Sequence, residues 1–223
     1  MIRGAVKKAG AGLCFFFLIT GAIVLLGLSA LDAGTLETVL ARCADPVGLE
    51  RLGEDLHAAA GDLRRGLFFG GFPMGLIDAP LFTDREILHL KDCAGLVRGL
   101  LLYGLSAAAA GAAGCVFILA RFRKRFFSGL AGTSIVLTGL MLLTAVWGVL
   151  DFDGLFITFH KVFFRNDLWL LDPRKHLLIQ LMPTGFFSAY TGIILLRVLP
   201  VPAALLVFDI VFFLRRRHGD DIQ

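Results

Sequence analysis

Two histidines stand in patterns that suit acid–base chemistry. His160 lies in the run Phe156-Ile-Thr-Phe159-His160-Lys-Val-Phe163-Phe164-Arg-Asn166-Asp167-Leu-Trp169, where aromatics lead into a polar turn. Phe156, Phe159, His160, Phe163 and Phe164 fall at helical offsets, which sets the imidazole on an aromatic face. A histidine at a membrane–water boundary exchanges a proton near neutral pH. Partial burial lowers its pKa, so it stays neutral and basic at pH 7. The other reading is an amphipathic side chain anchoring a helix at headgroup level.

His89 lies in Glu86-Ile-Leu-His89-Leu-Lys-Asp92-Cys93. Three- and four-residue spacing puts Glu86, His89, Asp92 and Cys93 on one helical face. Asp92 is placed to hold the imidazole in one tautomer, as carboxylates do for catalytic histidines. A half-exposed helical histidine beside a capping glutamate fits the same local pattern. His57 and His176 read as surface residues, and His218 lies in the C-terminal tail. Asp209 is a carboxylate inside an apolar run, and intramembrane charges are functional candidates. It stands six residues before Arg215, and an ion pair at the inner interface is the simpler reading.

Other chemistries lack their signatures. The chain has no Gly-x-Ser-x-Gly elbow, no His-Glu-x-x-His helix, no Cys-x-x-Cys pair and no glycine-rich phosphate loop. No cofactor and no metal are expected. An enzyme built from these residues works by proton transfer and positioning.

The elements that must position the histidines are membrane helices. Of the 223 residues, 57% are hydrophobic and 18% charged, and the mean hydropathy is +0.79. Crossing the hydrocarbon core takes roughly 20 apolar residues. Residues 9–31, 99–120 and 129–150 read as spans, and residues 193–214 as a fourth. Arg197, Pro200, Pro202 and Asp209 interrupt the fourth, so its start is expected near Leu199, with Arg197 snorkelling above it. The first span is longer than a signal-peptide core and reads as an uncleaved anchor. The fold class is an all-α membrane protein forming one membrane domain over residues 1–223.

Orientation follows from charge, because cytoplasmic flanks collect Lys and Arg. Arg3, Lys7 and Lys8 precede the first span, Arg121, Arg123, Lys124 and Arg125 follow the second, and Arg215–Arg217 follow the fourth. Both termini are therefore expected inside (N-in/C-in). Two outer loops, residues 32–96 and 151–190, form an extracytoplasmic cap. The net charge of +4 is thus a topology signal, not one for nucleic acid.

Within the first outer loop, residues 32–65 fit short strands or a helix. Residues 66–82 are aromatic, glycine-rich and nearly uncharged, and suit the outer interface. Thr83 and Glu86 have capping-box spacing, opening a pre-span helix over residues 84–97. In the second outer loop an aromatic interfacial helix precedes a turn at Asn166-Asp167 and a break at Asp172-Pro173, and residues 177–190 read as amphipathic. Small residues in the second span (Ser106, Ala107, Ala110, Gly111, Gly114) form a close-packing face. Cys43 and Cys93 share the first outer loop, where a disulfide is permitted but not required by spacing.

Three motifs carry a family resemblance: Glu-Ile-x-His-x-x-Asp from Glu86, Phe-His-x-x-Phe-Phe-x-Asn-Asp-x-Trp-x-x-Asp-Pro from Phe159, and Leu-Ile-x-x-x-Pro-x-x-Phe-Phe from Leu178. The chain resembles the lipoprotein intramolecular transacylases, four-span bacterial membrane proteins, along essentially its whole topology. The resemblance implies transfer of the sn-2 acyl chain of a diacylglyceryl lipoprotein to the α-amine of its N-terminal cysteine. It implies a place in the bacterial cell membrane, with the site on the extracytoplasmic side. His89 and His160 match the two histidines regarded as catalytic, with Glu86, Asp92, Asn166, Asp167 and Trp169 supporting. Phe69, Phe72, Phe156, Phe159, Phe163 and Phe164 are expected to line an acyl groove. Partners are the lipoprotein substrate and membrane lipid. The chain departs from the family pattern at His176 and at Thr184-Gly185, where acidic residues are expected. Two other classes fit the same residues: a metal-dependent membrane hydrolase with His89, His160, Asp92 and Asp167 as ligands, and a non-enzymatic scaffold held by a Cys43–Cys93 bridge.

Overall fold

The computed structural model describes residues 2–53, 56–70, 82–122 and 130–220. Every described element is helical: α1 (Ile2–Ser29), α2 (Ala33–Cys43), α3 (Pro46–Leu52), α4 (Leu56–Phe69), α5 (Asp84–Phe122), α6 (Leu130–Leu150), α7 (Phe152–Phe163), α8 (Leu177–Leu181), α9 (Thr184–Val198) and α10 (Pro200–Asp220). Among the described residues, four stretches are long and apolar enough to cross a membrane: Ala9–Ser29, Asp84–Arg121, Gly132–Leu150 and Thr184–Val211.

Two compact units form. One comprises residues 1–27, 102–145 and 195–223. Its core gathers Phe15, Ile19, Cys115, Leu130 and Leu137. The glycines let α1 and α5 touch backbone to backbone. A Cβ at Gly111 would stand 2.3 Å from the Leu18 nitrogen, and one at Gly21 would stand 2.5 Å from the Ala108 nitrogen. Neither site admits a larger residue, so Ala107, Gly111 and Gly114 of the small-residue stripe form a packing face, while Ser106 and Ala110 are exposed. Thr133 Oγ1 donates to the Gly12 carbonyl at 3.1 Å, tying α6 to α1. Leu102, Leu105, Val116, Phe117, Leu140 and Leu143 remain exposed, as apolar side chains do where lipid replaces water.

The other unit comprises residues 28–101 and 146–194 and holds both candidate histidines. Its core includes Leu36, Leu40, Leu63, Leu90, Leu177, Leu181, Phe186 and Tyr190. The polar–apolar alternation of residues 32–65 resolves into α2, α3 and α4, not strands. Asp32 caps α2 by accepting from the Thr35 N–H at 2.9 Å. Asp45 caps α3 through the Val47 N–H at 2.8 Å, with Pro46 in the first turn, where its missing N–H costs nothing. Gln180 bridges distant segments. It accepts from Arg51 at 2.8 Å and donates to the Pro173 carbonyl at 2.7 Å.

Three expectations change. The fourth apolar helix starts at Thr184, not near Leu199. Pro183 ends the preceding segment, and its carbonyl accepts from the Phe186 N–H at 2.8 Å. Pro200 and Pro202 fall in the first turn of α10, where proline is tolerated. The Leu199 N–H to Leu195 carbonyl bond, 2.9 Å, carries the chain across the junction. Accordingly, residues 177–190 are not one amphipathic segment: α8 ends at Leu181 and α9 is already the long apolar helix. Residues 66–69 of the glycine-rich stretch are the last turn of α4, while residues 71–81, including Phe72, lie outside the described residues. On the bridge that spacing left open, Cys14, Cys43, Cys93 and Cys115 are all free thiols, so none joins Cys43 to Cys93.

Candidate active site

The helix that carries His89 is fixed at its start by Glu86. Thr83 and Glu86 form the expected capping box: Glu86 Oε2 accepts from the Thr83 N–H at 2.7 Å and the Thr83 hydroxyl at 2.8 Å. The carboxylate does more than cap. It is fully buried, and its Oε1 accepts from the Leu178 N–H at 2.7 Å. Three donors around one buried carboxylate supply the hydrogen bonding that burial demands. The tie sets the first turn of α5 against the start of α8.

One turn further on, His89 is 7% exposed. Its Nε2 lies 3.6 Å from Cys93 Sγ, and its Nδ1 is buried without a partner among the described residues. Asp92 is close enough to act on its charge but makes no hydrogen bond to it among the described residues. That carboxylate instead accepts from Asn166 Nδ2 at 2.9 Å, a contact 74 residues apart in sequence that local spacing does not reveal.

His160 sits in the last turn of α7, 6% exposed. Its Nδ1 lies 2.8 Å from the Phe156 carbonyl. A carbonyl can only accept, so Nδ1 carries the proton and Nε2 the lone pair. Burial lowers the His160 pKa from 6.5, against the upward pull of the Phe156 carbonyl. The ring is neutral at pH 7, with a basic nitrogen.

The two imidazoles come together, with centroids 6.0 Å apart and planes inclined by 36°. Phe164 wedges against both, at 5.2 Å from His89 and 5.5 Å from His160. Phe156 and Trp169 flank His160 at 4.1 Å and 4.9 Å. Phe156 also packs on Phe187 at 5.0 Å. Aromatic faces within about 6 Å stabilise a cation by roughly 0.5–2 kcal/mol, so this cage offsets part of the cost that burial sets on a protonated ring.

The polar turn is latched from outside. Asn166 Oδ1 accepts from the Leu168 N–H at 3.1 Å, and Arg85 donates to the Asp167 carbonyl. With the Asn166–Asp92 bond, these contacts hold Trp169 over His160. An open groove of about 540 Å³ adjoins this wall. Ile157, Phe164, Trp169 and Leu170 line it on the apolar side, and Lys161, Arg165, Asn166 and Asp167 on the polar side.

Of the aromatics expected around acyl chains, Phe156 and Phe164 meet the histidines. Phe159 contacts His160 at 5.4 Å and, with Phe163, stays half-exposed. Phe69 ends α4 with 79% of its surface exposed. The competing histidines stand apart in role. His57 is exposed and paired with Glu37 at 2.7 Å. His176 is not a solvated surface group: its Nδ1 accepts from the Asp172 N–H at 2.9 Å, closing the turn before α8. Among the described residues, no three His, Cys, Asp or Glu side chains gather as a metal site.

The model of the lipoprotein intramolecular transacylase Lit family matches residues 69–187, more than half of the chain and the stretch that holds both histidines. The chain belongs to the lipoprotein intramolecular transacylase family. It is a membrane acyltransferase by that membership. Solved structures of the membrane-integral lipoprotein intramolecular transacylase Lit from Bacillus cereus share its fold. One is 18% identical with a TM-score of 0.62, covering 96% of this chain and 95% of that one. A second, with a histidine-to-arginine substitution, is 16% identical with a TM-score of 0.62, covering 98% and 96%. No curated protein matches the chain.

For this transacylase, two site features were not legible as such. Cys93 shares the His89 face by spacing, yet reads from sequence as a disulfide candidate, not as an imidazole partner. Lys161 and Arg165 belong to no motif that singles them out in the sequence, and the groove brings them beside Trp169.

Proposed function

We propose that this chain moves the sn-2 acyl chain of a diacylglyceryl lipoprotein onto the α-amine of its N-terminal cysteine, with His160 as base and His89 as hydrogen-bond donor. The observation that carries this reading is the pair of buried imidazoles 6.0 Å apart, inside the segment that matches the family. From sequence, Asp92 on the same helix favours His89 as the base and His160 as the acid or donor; the roles are exchanged here because Asp92 is turned to Asn166 and His160 has the defined basic nitrogen.

His160 Nε2 removes a proton from the α-amine as its nitrogen attacks the sn-2 carbonyl. An α-amine with a reference pKa near 8 needs only a modest base. The His89 N–H donates to the oxyanion that forms. Collapse breaks the ester bond, and the glyceryl oxygen leaves with the proton that His160 has held. The products are an amide and an sn-2 hydroxyl, with no water consumed. Amine and ester belong to one molecule, so positioning supplies much of the rate, on the order of 7–11 kcal/mol in well-oriented intramolecular reactions.

The half-exposed Phe159 and Phe163 offer apolar surface to acyl chains and membrane lipid. We place the site on the extracytoplasmic side, with both termini in the cytoplasm. Incubating the purified protein with a diacylglyceryl lipopeptide tests the reading: the free amine should disappear without release of fatty acid. Fatty-acid release with the amine intact would indicate hydrolysis instead.

A further inference from the structure

We propose that Cys93 is a positioning residue for His89: its thiol donates to Nε2 and so leaves the Nδ1–H as the donor available to the substrate. The inference rests on the transacylase reading above. Cys93 lies one helical turn after His89, with Sγ 3.6 Å from Nε2. It is a free thiol.

Sulfur is a weak acceptor and the imidazole lone pair a good one, so the S–H to Nε2 direction uses each group's better capability. A neutral imidazole that accepts at one nitrogen donates at the other. The other nitrogen, Nδ1, is buried and has no partner among the described residues, on a ring only 7% exposed. Buried polar atoms are rarely left unpaired. A donor held without a partner in the resting protein suits an oxyanion that exists only during the reaction. The carboxylate next in line, Asp92, is occupied by Asn166, so the thiol is the side chain that sets the tautomer.

The test uses full-length protein labelled with ¹⁵N-histidine in lipid nanodiscs, with His89 assigned by difference against His89→Ala. In the wild type, Nδ1 should show a protonated shift and Nε2 an unprotonated one. Cys93→Ala should mix the two tautomers and lower kcat about fivefold, the scale of one modest hydrogen bond, with KM unchanged. Cys93→Ser, which keeps a hydroxyl donor, should restore a single tautomer and most of kcat. A protonated Nε2 in the wild type, or a Cys93→Ala spectrum identical to wild type, overturns the proposal. Absence of acyl migration in the wild type would instead count against the transacylase reading, and the tautomer spectrum reads the thiol independently of it.

Discussion

The His89 and His160 rings lie 6.0 Å apart at their centroids, inclined by 36°, with Phe164 packed against both. They are not hydrogen-bonded to each other: His160 Nδ1 is used by the Phe156 carbonyl and His89 Nε2 by Cys93. Under the proposed mechanism, one acyl carbon and its substituents would have to meet a nitrogen from each ring.

Replacing either ring should therefore stop the reaction without unfolding the protein. His89→Ala and His160→Ala should each lose about 10²–10⁴-fold in kcat, the usual scale for a positioned acid–base group. His57→Ala, on an exposed pair with Glu37, should retain full activity. Turnover assays beside thermal unfolding scans separate lost chemistry from lost fold. Wild-type rates in either active-site variant would remove the paired mechanism.

The pH dependence follows from the lowered pKa of His160. The base must be neutral, so kcat/KM, once corrected for the free fraction of the substrate amine with its reference pKa near 8, should fall only as pH drops below 6.5. Stability has the same sign. Between the folded pKa and 6.5 the unfolded state binds more protons, so stability is full above 6.5 and is lost as pH falls. The check is a pH–rate profile with matched unfolding scans. An acid limb centred above 6.5 would mean a different base.

The Asp92–Asn166 bond of 2.9 Å should be visible as coupling. Asn166→Ala and Asp92→Ala should each slow turnover about tenfold by loosening Trp169 over His160, and the double variant should be little worse than either alone. A coupling energy of about 0.5–3 kcal/mol is expected for groups in direct contact. Additive losses would mean that the two side chains act separately.

How much of this was readable in the sequence depends on how far apart the partners lie. The Thr83–Glu86 capping box is a three-residue contact, and its spacing announces it. The second use of Glu86, by the Leu178 N–H, crosses 92 residues and depends on how α8 is placed. Asp92 shows the same limit: a helical pattern offers His89 as its partner, and the folded loop supplies Asn166. Proline rules misplaced the fourth span because Pro200 and Pro202 were read as a start, while Pro183 is the real boundary. The three earlier spans were legible because uninterrupted apolar length is a property of composition alone.

Topology is a charge argument and can be checked on cells. A cysteine placed by Glu50→Cys, in the acidic first loop, should react with an impermeant thiol reagent on intact cells, above the level of the parent protein. One placed by Ser128→Cys, beside Arg121–Arg125, should react only after permeabilisation. The opposite pattern would invert the orientation and the side of the site.

The most direct measurement is tandem mass spectrometry of a diacylglyceryl lipopeptide before and after incubation with the protein. Acyl migration predicts an unchanged intact mass and a new N-terminal fragment bearing one acyl group as an amide, absent with His160→Ala. A product lighter by one acyl group, or an unmodified N-terminal fragment, would contradict the account.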